Sequence, residues 1–213
     1  MIEIISCGLN IPANIERCAQ SVDRQQNRSG INHCMVIDNG RGKIYNFIKA
    51  VLYRKMADDD IIIDLDLDDY LEHNAVETVV REYDKNPKLL LTYGSYKTVS
   101  GKPARFCGEY KTASFRTQKW KGSHLKSFKY KLFKKINTKD LKGKDGRYVQ
   151  VCADIAMMFP MMEMAGLDRM QFIDKPIYNY DDTQPWCDHK VKPDEQKRIE
   201  KYLRGKKPYL KLE

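Results

Sequence analysis

The chain has 213 residues, is 42% hydrophobic and 31% charged, and carries a net charge of +9. That length allows one domain, burying about 70% of the unfolded surface, and no apolar run approaches the length of a membrane span. Cys7, Cys18, Cys34, Cys107, Cys152 and Cys187 are widely spaced with no CxxC pair, a usage that reads as reduced thiols. No leader-like segment precedes the first strand, so the expectation is reduced thiols and a cytoplasmic setting (the host cytoplasm if the source is a virus).

Taken in order, Ile2 to Ser6 read as a first strand and Cys7 to Pro12 as a turn. Asn14 can cap a helix whose apolar face is Ile15, Cys18, Ala19 and Val22; it runs to about Gln26 and is broken by Asn27 to Gly30. His33 to Ile37 form a second strand ending in the turn signal Asp38-Asn39-Gly40. A second helix begins near Lys43 with Ile44, Phe47, Ile48, Val51 and Leu52 on one face. Ile61 to Ile63 read as a short buried strand, Glu72 to Asp84 as a helix, and Leu89 to Tyr93 as another strand. The alternation predicts an α/β fold with a mostly parallel sheet and helices on both sides.

The second half is less regular. Gly101 to Trp120 reads as loop or short strands. His124 to Ile136 has the spacing of a basic amphipathic helix, with Leu125, Phe128, Leu132, Phe133 and Ile136 inward and Lys126, Lys129, Lys131, Lys134 and Lys135 outward. Thr138 to Arg147 is a polar loop, Cys152 to Ala165 a methionine-rich helix, Phe172 to Tyr180 a last strand, and the tail from Pro193 a basic helix. Charge is concentrated here: sixteen Lys/Arg against three acids from Lys97 to Arg147, and nine against four from Lys190 to Glu213. A surface of that sign attracts polyanions such as nucleic acid, anionic lipid or phosphorylated substrates.

The most informative stretch is Asp58 to Tyr70, in which seven aspartates fall within twelve residues around Ile61-Ile62-Ile63. Beyond Ile63 the sequence alternates, sending Asp64, Asp66 and Asp68 toward one side and Leu65 and Leu67 toward the other. Carboxylates crowded at the end of a buried strand call for a cation or another partner, for which hard divalent ions with oxygen ligands, Mg²⁺ or Mn²⁺, are suited; the alternative is a solvated acidic turn whose charge caps the helix beginning near Glu72. Strand ends of this kind also hold ligands in α/β sheets. A mononucleotide there can be served by Asp38, accepting from a uracil N3–H, and by groups around Ser6, Cys7, Gly8 and Asn10. Asp66 then reaches the ribose or metal, and Asp68 the metal that bridges two phosphates; Asp64 lies beside them.

Ser6 to Asn10, the Val36-Ile37-Asp38-Asn39-Gly40 run and the Asp60-to-Leu71 segment resemble, in order and spacing, the nucleotide loop, the V-D-D-G-S element and the D-x-D strand of GT-A-fold glycosyltransferases, particularly the family 2-like group. The resemblance covers at least residues 1 to 96. It departs at Cys7-Gly8-Leu9, where an aromatic-containing loop is usual, at Arg41 in place of a small hydroxyl residue, and at Leu67, bulkier than the usual spacer.

What the resemblance implies is a single GT-A-like domain, with a nucleotide-sugar-binding half in residues 1–96 and an acceptor half in 97–213. It implies a UDP-sugar donor and Mn²⁺ or Mg²⁺. It places Asp154, at the start of the methionine-rich helix, as the base of an inverting transfer. Glu163 is the second choice, more readily structural. Tyr178 to Lys190 resembles the loop that closes over the donor, where His189 would complete the metal sphere with Asp66 and Asp68, and Lys190 would pair with the diphosphate. His124 and Lys126 fall where the acceptor approaches. The basic second half favours a polyanionic acceptor, with a hydroxymethylated pyrimidine in double-stranded DNA slightly ahead of a surface or capsular glycan. The helix expected at 124–136 leaves peripheral membrane contact open. Two other classes compete: a metal-dependent nuclease and a non-catalytic nucleic-acid-binding module.

Overall fold

A computed structural model describes residues 1–25 and 30–213, with the backbone but not the side chain of His189. The expected helix break at Asn27 to Ser29 and the expected helix end at Gln26 lie outside the described residues.

The first half follows the apolar pattern. Strand β1 (Ile2–Gly8) leads into helix α1 (Pro12–Asp23), with Pro12 in its first turn, where a missing N–H costs nothing. Strand β2 (Ile31–Ile37) precedes helix α2 (Lys43–Tyr53), which buries Ile44, Phe47, Ile48 and Val51. Leu52, expected on that face, is 69% exposed. Strand β3 (Ile61–Asp66) is followed by the short strand β4 (Tyr70–Leu71) and helix α3 (Ala75–Lys85). That helix starts later than its pattern suggests because Glu72 N is held by Ile177 O at 3.1 Å. Strands β5 (Leu91–Gly94) and β6 (Lys97–Thr98) complete this half.

The second half departs from its periodicity in two places. The stretch expected as one basic helix is strand β7 (Lys126–Lys129) running into a single turn, α4 (Tyr130–Phe133). Lys126 to Lys129 fill the gap between β3 and β5, antiparallel to both. Two unsatisfied strand edges outweigh a helical spacing of side chains. Ser127 Oγ, between Thr92 Oγ1 at 2.6 Å and Tyr83 Oη at 3.1 Å, shows how far inside this segment lies. The last predicted strand is two, β8 (Met170–Ile173) and β9 (Tyr178–Tyr180). Pro176 between them lacks a ladder N–H and restricts Lys175. The remaining elements are helix α5 (Ala153–Ala165), the turn α6 (Asp188–Val191) and helix α7 (Pro193–Arg204). Helix α5 is apolar on every side and accordingly buried.

The main sheet has six strands in the order β2-β1-β3-β7-β5-β8, of which only β7 runs against the others; β4, β9 and β6 form a smaller sheet. Adjacent residues send their side chains to opposite faces. Ile5 and Ile62 pack with α2 and α5 on one side, and Ile4, Ile63 and Leu65 with α1 and α3 on the other. This is an α/β sandwich whose β1, β2 and β3 all end on the same edge. No helix among the described residues is long and apolar enough to cross a membrane.

Candidate donor and transfer site

Along that edge lies a cleft of about 530 Å³. Its walls include Cys7, Gly8, Asp38, Lys43, Asp66, Asp68, His124, Lys126, Asp154 and Asp188. Segments far apart in the chain therefore meet over the ends of the first three strands, as the doubly wound topology dictates.

The closeness of β1 to the acidic loop depends on Gly8. A Cβ there would stand 2.8 Å from Leu67 Cβ. Leu67 itself is 1% exposed and belongs to the core beneath α1 and α3, so its bulk points away from the cleft and does not narrow it. Gly42 has φ +82°, and a Cβ there would meet Gln150 Oε1 at 2.5 Å. Gln150 Nε2 donates to Arg41 O at 3.1 Å and Tyr148 O at 3.0 Å, tying the turn after β2 to the segment before α5.

The floor is an ion cluster. Lys43 Nζ lies 2.9 Å from Asp64 Oδ1 and 2.6 Å from Asp66 Oδ1, and Lys126 Nζ lies 3.1 Å from Asp64 Oδ2. Burial opposes ionisation of Asp64, but Lys126 and Lys43 outweigh it and hold the carboxyl below its usual range. Burial likewise opposes the Lys43 charge, and Asp64 and Asp66 outweigh it. Asp68 forms no ion pair among the described residues, and the Lys43 charge helps it only in part. Burial, then the Asp66 charge, push its carboxyl up to about 6. Asp69 is raised well above the usual range by burial and by Asp68 and Asp66; it accepts from Tyr178 Oη at 2.5 Å and Asp181 N at 2.7 Å. Arg17 fastens the loop from outside, donating to Asp68 O at 2.6 Å and Asp181 Oδ2 at 2.7 Å.

Asp38 Oδ1 accepts from the N–H groups of Gly40, Arg41 and Gly42, each at 3.0 Å, and from Asn46 Nδ2 at 2.8 Å. It builds the turn and still lines the cleft. Asp154, in the first turn of α5, faces the same space, and its carboxylate forms no ion pair among the described residues. Cys152, with φ 58°, turns the chain sharply into that helix.

Several expected contributors stand elsewhere. Ser6 is fully buried within the ladder between Met35 and Leu65, and its hydroxyl meets His33 Nε2 at 2.9 Å, so its side chain is not available to a ligand. Asn10 is exposed beyond the cleft wall. Asp64 is spent on the two lysines. Lys190 Nζ donates to Asp182 O at 2.7 Å and Gln184 O at 2.8 Å, fixing its own loop instead of entering the cleft. Lys126 is 1% exposed and neutralises Asp64, so it is a floor residue and not part of an outward basic face. The His189 side chain lies outside the described residues. Glu163 is structural: it takes Arg116 Nε at 2.6 Å and Nη2 at 2.9 Å, and Tyr209 N at 3.0 Å.

The lysines expected on an outward helix face are largely consumed as well. Lys129 and Lys131 pair with Asp59 at 3.2 and 2.8 Å, and Lys134 pairs with Asp58. A basic amphipathic helix for membrane contact is thereby removed.

Sequence reasoning missed Lys43 and Asp188. Lys43 follows the Asp38 turn at the start of α2, a position from which a side chain reaches across to the next strand end. Asp188 lies near Asp66 and Asp154; burial comes first among the causes that raise its carboxyl above the usual range, with the charges of Glu195, Asp66 and Asp154 adding to it.

Asp66 and Asp68 fit a Mg²⁺ or Mn²⁺ held mainly by substrate phosphates and water, since a carboxylate pushed up beside a second carboxylate is relieved by a divalent charge. Among the described residues no group of three or more His, Cys, Asp or Glu is arranged to hold a metal unaided.

The sheet, its flanking helices and the position of the cleft define a GT-A-type α/β fold. No protein-family model and no curated protein matches the chain. Among solved structures, S. aureus TarS 1-349 in complex with UDP-GlcNAc superposes with a TM-score of 0.62 at 13% identity, over 95% of this chain and 65% of that one. A further structure of S. aureus TarS gives 0.60 at 13% identity, over 84% of this chain and 36% of that one. The mannosyltransferase PcManGT from Pyrobaculum calidifontis, in complex with GDP-Man and Mn²⁺, gives 0.51 at 14% identity, over 82% and 54%. The chain thus spans less than two thirds of each of these proteins.

Proposed function

We propose that this chain is a metal-dependent glycosyltransferase that moves a sugar from a UDP-sugar to an acceptor hydroxyl with inversion. One observation carries the reading: Asp66 and Asp68 stand with Asp38, Lys43 and Asp154, which has no ion-pair partner among the described residues, around one cleft over the ends of β1, β2 and β3. The fold shared with structures in complex with UDP-GlcNAc and GDP-Man supports it.

In this reading the base lies against Cys7, Gly8 and Asp38. Asp66 and Asp68 would hold Mn²⁺ or Mg²⁺, which when bound supplies charge neutralisation for the departing diphosphate. Lys43, already between Asp64 and Asp66, keeps a positive charge at the same place. Asp154 accepts the proton of the acceptor hydroxyl as that oxygen bonds to the anomeric carbon and the bond from this carbon to the diphosphate oxygen breaks. The acceptor is assigned to the polyanions, with hydroxymethylated duplex DNA the first to try. Its support is narrower than composition suggests, because Lys126, Lys129, Lys131 and Lys134 are paired internally. It now rests on Lys144 and Lys201, around a second pocket of about 320 Å³ that they share with Arg198, itself 3.8 Å from Glu195.

The test is UDP release from a panel of UDP-sugars with Mn²⁺, with and without hydroxymethylated duplex, for wild type and Asp68→Ala. Release that needs both the metal and Asp68 is expected. Stimulation by the duplex assigns the acceptor to DNA, and release without stimulation turns the search to glycans. Absence of release with every donor overturns the reading.

A further inference from the structure

Two residues of the cleft wall, Asn14 and His124, carry a buried polar atom without a hydrogen-bond partner among the described residues, and His124 is the one bracketed by aromatic rings. His124 Nδ1 is buried and has no hydrogen-bond partner among the described residues. Its ring is firmly held. It stacks on Tyr178 at 4.4 Å and 14°, lies nearly parallel to Tyr180 at 5.9 Å, and meets the edge of Tyr96 at 5.9 Å. Tyr178 is itself fixed by its hydroxyl, which donates to Asp69 at 2.5 Å and lies 3.3 Å from Asp66 N. The imidazole is therefore positioned by the same loop that carries Asp66 and Asp68. Burying a polar group without a partner costs about 1–3 kcal/mol, and a rigid aromatic bracket around such a group is the arrangement of a ligand contact.

Sheet order says which part of a ligand it meets. The strands run β2-β1-β3-β7, and β7 is antiparallel, so its first residues come to the edge where β1, β2 and β3 end. Asp38 follows β2, Cys7 and Gly8 end β1, and Asp66 ends β3. Lys126 opens β7 opposite Asp64, and His124 stands two residues earlier. A nucleotide sugar laid along this edge, base over β2 and β1 and diphosphate over β3, puts its sugar over the start of β7. Burial, together with the Lys126 and Lys43 ammonium groups, keeps the imidazole well below its ordinary range and hence neutral, suited to a hydroxyl and not to a phosphate.

We infer that His124 Nδ1 binds a hydroxyl of the transferred sugar and thereby sets which donor sugar the cleft accepts. This rests on the donor-site reading above and adds to it the residue that distinguishes a UDP-sugar from UDP. It moves His124 from the acceptor side, where its sequence position suggested it, to the donor.

The test is calorimetric titration of the intact chain with Mn²⁺ and, in turn, UDP, UDP-glucose, UDP-galactose and UDP-GlcNAc. His124→Phe keeps an aromatic ring in the bracket and removes the nitrogen; His124→Asn keeps a polar atom near the position of Nδ1. The expected result is that the best UDP-sugar binds wild type more tightly than UDP does. Its affinity should fall about five- to tenfold in His124→Phe and return toward wild type in His124→Asn, with UDP binding within twofold in all three. An unchanged UDP-sugar affinity in His124→Phe overturns the inference while leaving the donor site standing. Equal losses for UDP and UDP-sugar make the ring structural and also overturn it. No UDP binding by wild type overturns the donor reading and the inference together.

Discussion

Strand β3 carries aspartates at both ends, and the two ends are treated differently. At its start, Asp58 pairs with Lys134, Asp59 with Lys129 and Lys131, and Asp60 with the Met1 amino group at 2.8 Å. At its far end, Asp64 is neutralised by Lys43 and Lys126, Asp66 shares Lys43, and Asp68 has no cation of its own among the described residues. The same residue type in the same run is thus a lattice of ion pairs at one end and a charge deficit in a cleft at the other. An acidic run is informative where its charge is left uncompensated, because that is where a ligand or ion can supply what the chain does not.

The largest effect is expected inside the far-end cluster, at the buried Asp64. Lys126→Met leaves Asp64 with Lys43 alone in the interior and should cost about 3–5 kcal/mol of stability, read as a lower urea midpoint. Asp68→Ala should act the other way: UDP release falls about 100-fold or more, while thermal stability holds or rises because a carboxylate opposed by burial and by Asp66 is gone. A pH series sharpens the contrast further. Asp68 has a folded pKa of about 6, above its unfolded value, so its contribution to stability is fully present below about 4 and is lost as pH rises through about 6. Divalent-ion affinity should therefore rise over the same interval, with proton release on binding, and Asp68→Asn should flatten both trends. The smallest effect belongs to the far end: Lys134→Ala, on a half-exposed pair, should change stability by less than about 1 kcal/mol and leave UDP release unaltered.

Much of this difference was legible in the sequence, and part of it was not. The order of strands and helices through Tyr93 follows from apolar spacing, and the strand-end position of Asp66 and Asp68 follows from Ile61 to Ile63. The 124–136 segment misled because Leu125, Phe128, Leu132 and Phe133 satisfy a helical period, whereas the segment's fate is decided by the open edges of β3 and β5, which no local pattern records. With that strand hidden, Lys126 read as an outward charge instead of the partner of Asp64, and Lys129, Lys131 and Lys134 read as a docking face instead of the counterions of Asp58 and Asp59. Lys43 was missed for the same reason: its role depends on reaching across to β3. Ser6 and Lys190 were chosen for their positions in the chain alone, and their side chains are turned to His33 and to the carbonyls of Asp182 and Gln184.

The most direct test of the account is calorimetric titration of UDP with Mn²⁺ into wild type, Asp68→Asn and Asp58→Asn. Binding is expected in wild type and Asp58→Asn alike and is expected to be lost in Asp68→Asn. Equal UDP affinity in all three, or loss in Asp58→Asn with retention in Asp68→Asn, would contradict the claim that the far end of β3 is the donor site.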